Sequence, residues 1–474
     1  MIKKLIRRVF GNAAAQTPSA TSPALQNSNR QTIPVSKHGI DLDLVSPAAR
    51  SVCEGLQDAG YEAYIVGGAV RDMLLGREPK DFDIATNATP EQVVREFRRA
   101  RLIGKRFKIV HVMSGRETIE VTTFRADKDA NAQTDVHGRV LSDNNFGDIA
   151  SDAARRDFTV NAMYYDPSDE VVLDFHGGLK DLKARKLRMI GDPETRYRED
   201  PVRMLRVVRF VAKLGFTIDK ATLAPIQSLK QLISNCPAAR LFDEVQKLLM
   251  SGHGVATLRV LREHKLDGAL LPHLDRAMND KQGEIFLMQA MQNTDDRIAA
   301  GKSTTPSFLF AALLWFEVLA LAKKYQAKGE SRYPALATAM NEVIEVQCEA
   351  LAIPRRFSSD MREIWFMQPR FEVIQKRALA LPRNPKFRAG YDFLLLRCES
   401  GEQPQKLADF WTDIQEIDPA EHQELLQLYL DADRSAFDTV AVKQESSSET
   451  KPAAKKRRRV RKKTTALAAA PEQA

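Results

Sequence analysis

A change of period near residue 180 constrains this chain more than any other feature. Between residues 61 and 175 short β-rich runs alternate with helical segments. Beyond about 180 strand signals nearly vanish, and a 3.6-residue apolar period continues to about residue 435. Strands interleaved with helices require a sheet covered by helices, whereas a helix-only stretch must bury its apolar stripes against other helices. The expectation is an α+β protein: a small mixed α/β head, then a long all-helical body, with disordered basic ends. The expected divisions are a disordered extension over 1–40, the head over 41–180, a helical neck over 181–255, a helical body over 256–440 and a tail over 441–474. Within the head, 61–66 reads as a strand, Gly67-Gly68 as a turn into a helix, and 81–84 as a second strand. Thr89-Pro90-Glu91-Gln92 has the form of a capping box with proline at the first helical position. Runs at 108–113 and 118–124 flank a hairpin turn at 114–117.

The net positive charge is confined to the ends. Of the net +9, residues 451–474 contribute +8 and the first ten residues +4, which leaves about −3 for residues 11–450. The run Lys455, Lys456, Arg457, Arg458, Arg459, Arg461, Lys462, Lys463 cannot order itself, because like charges repel and almost nothing apolar offsets the entropy. A solvated tail, a nuclear localisation signal and a polyanion-binding arm share this composition. The arm is preferred, because such density releases counterions from phosphate backbones. Before Asp41, the first acid, lies a basic start and then a Ser/Thr/Ala/Asn/Gln/Pro-rich stretch. It lacks the apolar h-region of a secretory signal and suits a disordered extension better than a mitochondrial transit peptide. No run reaches the ~20 consecutive apolar residues of a bilayer span. The oiliest stretch, 308–322, is interrupted by Glu317 and reads as a buried helix. Cys53, Cys236, Cys348 and Cys398 are too dispersed for a cysteine-rich zinc module and suit a reducing compartment.

Asp81-Phe82-Asp83 is the sharpest chemical feature. On a strand, i and i+2 share a face, so Phe82 and Ile84 turn inward while both carboxylates meet solvent. Two acids held that close repel unless a cation separates them, and oxygen donors suit Mg²⁺. Upstream, Gly67 and Gly68 let backbone N–H groups approach a phosphate, and Arg71 lies one turn into the following helix. Glu120 alternates away from Ile119 and Val121, so three carboxylates meet if its strand neighbours that of Asp83. Such a site would hold two metal ions for in-line attack on phosphorus. Further along, Asp200, Arg203 and Arg206 are spaced at i,i+3 on a helix. A carboxylate that orients a guanidinium there would present a fixed fork to a base edge.

These residues lie in a longer pattern. Gly67-Gly-Ala-Val-Arg-Asp-Met-Leu-Leu-Gly76 with Asp81-Phe-Asp83, then Arg155-Arg-Asp-Phe-Thr-Val-Asn-Ala162, then a D-x-x-G-G-x-x-D segment from Asp174 to Asp181, then Glu199-Asp-Pro-Val-Arg203 through Arg206 to Arg209-Phe210 occur in that order. The pattern resembles the class II nucleotidyltransferases of the polymerase-beta superfamily, which comprise the bacterial poly(A) polymerases and the CCA-adding enzymes. The resemblance implies a nucleotidyltransferase head with ATP as substrate and two Mg²⁺ ions at Asp81 and Asp83. Glu120 or Asp157 completes the site, a choice the sequence leaves open. It also implies nucleotide contacts from Gly67, Gly68, Arg71, Arg156, Asn161, Asp200, Arg203 and Arg206, and RNA binding by neck and body.

Leu102-Ile-Gly-Lys-Arg-Phe107 resembles the element that distinguishes the polyadenylating members, and assigns Lys105 and Arg106 to triphosphate or primer. The absence of any His-Asp dipeptide excludes the phosphohydrolase domain of some CCA-adding enzymes. The expected reaction is template-independent transfer of AMP from ATP to an RNA 3′-hydroxyl. The alternatives are CCA addition, a catalytically silent RNA-binding scaffold, and a small-molecule nucleotidyltransferase. RNA 3′ ends are the expected partner, with RNA-degradation or RNA-chaperone proteins beside them. A cytoplasmic monomer away from membranes completes the expectation.

Overall fold

Valine-, isoleucine- and threonine-rich segments of the head pair into one mixed sheet. A computed structural model describes residues 30–104, 108–126 and 145–431. In chain order the head comprises β1 (Gln31–Pro34), α1 (Pro47–Asp58), β2 (Ala63–Val66), α2 (Gly68–Leu74), β3 (Asp83–Thr86), α3 (Pro90–Glu96), β4 (Ala100–Ile103), β5 (Ile109–Ser114), β6 (Glu117–Thr123), α4 (Ile149–Arg155), β7 (Met163–Asp166) and β8 (Val171–Asp174). The sheet order is β1-β8-β7-β2-β3-β6-β5-β4. Among the described strand pairs of this sheet, β3 and β6 are the parallel one, with Asp83 directly opposite Glu120.

Local signals act as expected. Ser46 caps α1 through the Ala49 amide at 3.1 Å. Thr89 and Gln92 form the reciprocal capping box of α3, at 3.3 and 2.7 Å. Gly115, at φ +61°, turns β5 back onto β6 so that Ser114 faces Glu117. Helices α1 and α3 lie on one face of the sheet, where Val52, Leu56, Val93, Ile84, Val112 and Val121 are buried. On the other face, Ile149 and Ala153 of α4 pack with Val66, Ala85, Phe124, Tyr164 and Leu173.

Two expectations need correction. The second strand begins at Asp83, so Asp81 and Phe82 precede it. Exposure still alternates as expected: Asp81 and Asp83 face solvent while Phe82 and Ile84 are buried. Residues 31–34, placed in the disordered extension, form the edge strand β1 against β8. Their only buried side chain is Ile33, too weak a local signal for a strand that exists by pairing with a distant partner.

After the head come α5 (Gly178–Lys183), β9 (Lys186–Leu187), α6 (Pro193–Glu199), α7 (Val202–Leu214), β10 (Thr217–Ile218) and α8 (Ala238–Leu249), then α9 (Gly254–Glu263), α10 (Leu274–Met278), α11 (Lys281–Ala299), α12 (Pro306–Ala327), α13 (Arg332–Ala350), α14 (Arg355–Phe371), α15 (Phe387–Glu399) and α16 (Gln405–Glu416). Apart from the two-residue pair β9–β10, the described chain beyond residue 180 is helical or irregular. Helix α12 is long and apolar enough to cross a membrane, yet 61% of its apolar window is buried inside the protein. Its Glu317 pairs with Arg276.

The chain divides into two compact units between Glu363 and Ile364. The second has its own core around Phe371, Phe387, Phe410 and Trp411, whose indole donates to the Phe371 carbonyl at 2.9 Å. Arg397, fully buried there, is held by Glu372 at 2.7 Å and Glu402 at 2.6 Å. A buried cation is tolerable only when paired in this way.

Candidate active site

The register of four strands sets a row of polar side chains across the open face of the sheet. Asp83 on β3 stands opposite Glu120 on β6, and Glu120 opposite His111 on β5. Paired strands lie about 4.8 Å apart, so the two carboxylates are immediate neighbours. Glu120 is further held by His111 Nε2 at 3.4 Å. The Asp83 carboxyl is pushed up to about 6, first by the protein around it and then by the charges of Glu120 and Asp81, against a lowering pull from Arg156. Two carboxylates crowd it, and a cation between them would relieve that repulsion.

Asp83 forms one side of a cavity of about 500 Å³. Gly67 and Gly68 line it together with Arg71, Arg155, Arg156, Asp157, Asn161, Asp200, Arg203, Arg206 and Arg240. Gly67 adopts φ +78°, ψ −125°, a conformation that disfavours any side chain. A Cβ there would stand at ordinary contact distance, 3.5 Å, from Arg156 Nη1, so the glycine lies beside that guanidinium. Most of these arginines are already aimed. Arg156 donates to Asp152 Oδ2 at 2.9 Å and to the Tyr164 hydroxyl at 3.0 Å, while that hydroxyl donates to Asp152 at 2.6 Å. Arg196 fixes the loop beneath by donating to the carbonyls of Arg155 and Arg156 at 2.6 and 2.7 Å. Arg71 is buried and donates to Asp72 at 2.8 Å and Asn161 Oδ1 at 2.7 Å. Its guanidinium is a wall of the cavity, oriented by those two partners.

Asp200, Arg203 and Arg206, the residues expected to meet a base, depart from the expected pairing. Asp200 lies in the break between α6 and α7, and it does not pair with Arg203. Arg240 of α8 donates to Asp200 at 2.8 Å. Arg203 is held by Glu199 at 3.0 Å and by the Arg196 carbonyl at 2.7 Å. Arg206 donates through Nε to Asp157 at 2.8 Å, and through Nη2 as well. Asp200, which precedes Pro201, is extended at φ −151° and ψ 92° and so stands outside the helix, which is why i,i+3 counting from it fails. Arginines are still oriented by carboxylates, but by Glu199 and Asp157.

Asp157 is thus engaged by Arg206, Asn161 and the Phe158 amide. Burial raises its carboxyl, but the charge and bonds of Arg206, with the bonds from Asn161 and the Phe158 amide, together hold it below the usual range. In the D-x-x-G-G-x-x-D segment, Asp174 caps α5 through the amides of Gly178 and Leu179 at 2.9 and 3.0 Å. Asp181 accepts from Thr159 Oγ1 at 2.8 Å and Arg188 Nε at 3.0 Å.

Beside this cavity, and sharing Asp83, Arg155 and Arg156 with it, lies a second of about 260 Å³ lined also by Val66, Glu120, Thr122, Arg125 and Asp152. Lys105, Arg106 and the basic run 455–463 fall outside the described residues. Among the described residues no three Asp, Glu, His or Cys side chains converge as a metal cage. The donor set still fits Mg²⁺, which typically takes one or two carboxylates and completes its shell with substrate phosphates and water. Sequence reasoning did not single out Asp152, Tyr164, Arg196 and Arg240. Three of these act through another residue, and Arg240 lies 40 positions from its partner.

Three family models match the chain: "Poly A polymerase head domain" over residues 63–188, "Probable RNA and SrmB- binding site of polymerase A" over 215–278, and "Polymerase A arginine-rich C-terminus" over 328–464. Poly(A) polymerase I of Salmonella typhi is 45% identical over 421 residues, covering 86% of this chain and 90% of that protein. The CCA-adding enzyme of Bacillus subtilis is 42% identical over only 44% of this chain and 52% of its own length. Among solved structures, the Bacillus stearothermophilus CCA-adding enzyme in complex with CTP superposes with a TM-score of 0.55 at 25% identity, covering 82% of this chain and 83% of the other.

Proposed function

The chain belongs to the poly(A) polymerase family, and from that premise we propose how its cavity carries out adenylate transfer. It is a nucleotidyltransferase that adds adenylate to RNA without a template. In sequence the CCA-adding relative matches 44% of the chain, whereas the polyadenylating relative matches 86% of it. The observation that carries the mechanism is the register of Asp83 with Glu120 at the rim of a cavity walled by six arginines.

In this reading ATP lies in the larger cavity. Arg155 and Arg156 line the cavity with Asp83 and the glycine turn and take the triphosphate, whose charge fixed guanidinium donors match. Asp152 and Tyr164 hold Arg156 in place, so its orientation costs nothing when substrate arrives. At the far end Arg203 and Arg206, set by Glu199 and Asp157, and Asp200, set by Arg240, meet the base. Adenine presents an acceptor beside a donor, which an arginine and a carboxylate match. Asn161 and Arg71 line the middle of the cavity, where the ribose lies. The RNA 3′-terminal nucleotide occupies the smaller cavity, which places its hydroxyl beside Asp83 and Glu120.

Asp81, Asp83 and Glu120 would hold Mg²⁺, which when bound neutralises phosphate charge and lowers the pKa of the attacking hydroxyl. Glu120 is the third carboxylate in this reading, and Asp157 a positioning residue for Arg206. The 3′-oxygen attacks the α-phosphorus and pyrophosphate leaves. The residues contribute by positioning and electrostatics and form no covalent intermediate. Neck and body bind the RNA, the basic run 455–463 tethers it, and the protein works in the cytoplasm as a monomer. The test is a purified protein, a generic RNA and each labelled nucleoside triphosphate in turn. Many AMP residues from ATP and poor use of CTP are expected. Self-limiting addition of C, C and A to a tRNA lacking its 3′ end would overturn the reading.

A further inference from the structure

The row that carries Asp83 and Glu120 does not stop at the carboxylates. His111 pairs with Glu120, and Arg101 on the edge strand β4 pairs with His111. One step along, the Met113 amide donates to the Arg99 carbonyl, which puts Arg99 beside Met113. Residues directly opposite on paired strands share a face. The carboxylate face therefore runs on through His111 to Arg101 and Arg99, with Met113 and Ile103 beside them. Arg99, Arg101, Ile103 and Met113 are all exposed. On the opposite face of the same strands, Val110, Val112, Ile119 and Val121 are buried beneath α1 and α3. Exposed apolar side chains beside two arginines, in direct continuity with the reacting groups, do not serve the core.

We propose that this open face of β5 and β4 is the path of the RNA strand immediately upstream of its 3′ end. The inference rests on the adenylate-transfer reading and names where that reaction's primer lies. Three strand spacings, about 14 Å, separate Asp83 from Arg101, so the face begins at the reacting hydroxyl and reaches the sheet edge a few nucleotides upstream. Arg99 and Arg101 meet phosphates. Met113, Ile103 and the His111 ring offer flat or apolar surface to unstacked bases, which any sequence can use. Such a surface accepts generic RNA.

The test uses the full chain and a single-stranded RNA carrying a 5′-fluorophore and 4-thiouridine at successive positions near its 3′ end. Irradiation should cross-link the nucleotides just upstream of the terminus to residues 99–103 and 109–113. The Arg99→Ala/Arg101→Ala variant should bind this RNA about tenfold more weakly, and its log–log salt slope should fall by about 1.4, from two phosphates at about 0.7 each. Arg99→Lys/Arg101→Lys should restore both, which a merely folded-state role for the arginines would not require. Unchanged affinity and slope, or cross-links confined to the helical body, would overturn the proposal. These readouts use no ATP, so they succeed or fail independently of adenylate transfer.

Discussion

Asp157→Asn separates the two candidate roles for the third acid of the motif. The carboxylate accepts both Arg206 bonds, a 3.3 Å bond from Asn161 and a 2.8 Å bond from the Phe158 amide. The amide keeps the volume but leaves the guanidinium without its charge partner. Breaking a fully buried pair costs about 3–5 kcal/mol. Here the Asp157 side chain is 11% exposed and that of Arg206 32%, so solvent screens one end and roughly 2–3 kcal/mol is expected.

The sign with pH follows from the depressed carboxyl of Asp157. Its contribution is full above the unfolded value of about 3.9 and is lost as pH falls through the lower folded value. Urea unfolding should therefore show the full deficit at pH 7 and still at pH 5, and its disappearance in stronger acid. Kinetically, a loosened Arg206 should raise KM for ATP and erode discrimination against CTP. Glu120→Gln should instead cut turnover by orders of magnitude with little loss of stability. The reasoning is refuted if Asp157→Asn leaves stability and KM intact while abolishing turnover and Glu120→Gln stays near wild type.

Other expectations follow from the same geometry. Asp83→Asn and Asp81→Asn should each lower turnover by several orders of magnitude; rates within tenfold of wild type would exclude a metal role for the pair. Because the Asp83 carboxyl is raised to about 6, its ionised form costs the fold stability above that pH and nothing below the unfolded value. Metal-free Asp83→Asn should accordingly melt higher than wild type at pH 8 and level with it near pH 4, as calorimetry can read. Arg203→Ala should lose base discrimination together with rate, about ten- to a hundredfold for one charged hydrogen bond, and Glu199→Gln should share part of that loss; parallel ATP and CTP kinetics check both. Removing residues 451–474 should lower the salt slope of RNA binding by roughly 3 if half of its basic groups meet phosphate, and an unchanged slope would show that they do not.

The local grammar of the chain was legible without coordinates. The Thr89 capping box, the 114–117 hairpin, the inward turn of Phe82 and Ile84, and the passage from sheet to helices near residue 180 each depend on residues a few positions apart. Propensity and period act over that range. The motifs named most of the residues that line the larger cavity for the same reason, since each motif is a short contiguous element.

What the tertiary structure alone decided is which distant groups meet. Nothing local says that β6 lies beside β3, and only that parallel pairing makes Glu120 the neighbour of Asp83. Nothing local says that Arg206 closes on Asp157, 49 residues away, or Arg240 on Asp200, 40 away. Helical spacing suggested an Asp200–Arg203 pair, but Asp200 is extended and stands outside the helix. Strand β1 forms because β8 presents an unpaired edge to it. A short polar segment takes the conformation its partner offers, and ion pairs follow the charges that packing brings together. Sequence therefore determined the elements and the reactive groups, and their meeting across the sheet and between head and neck was settled by packing.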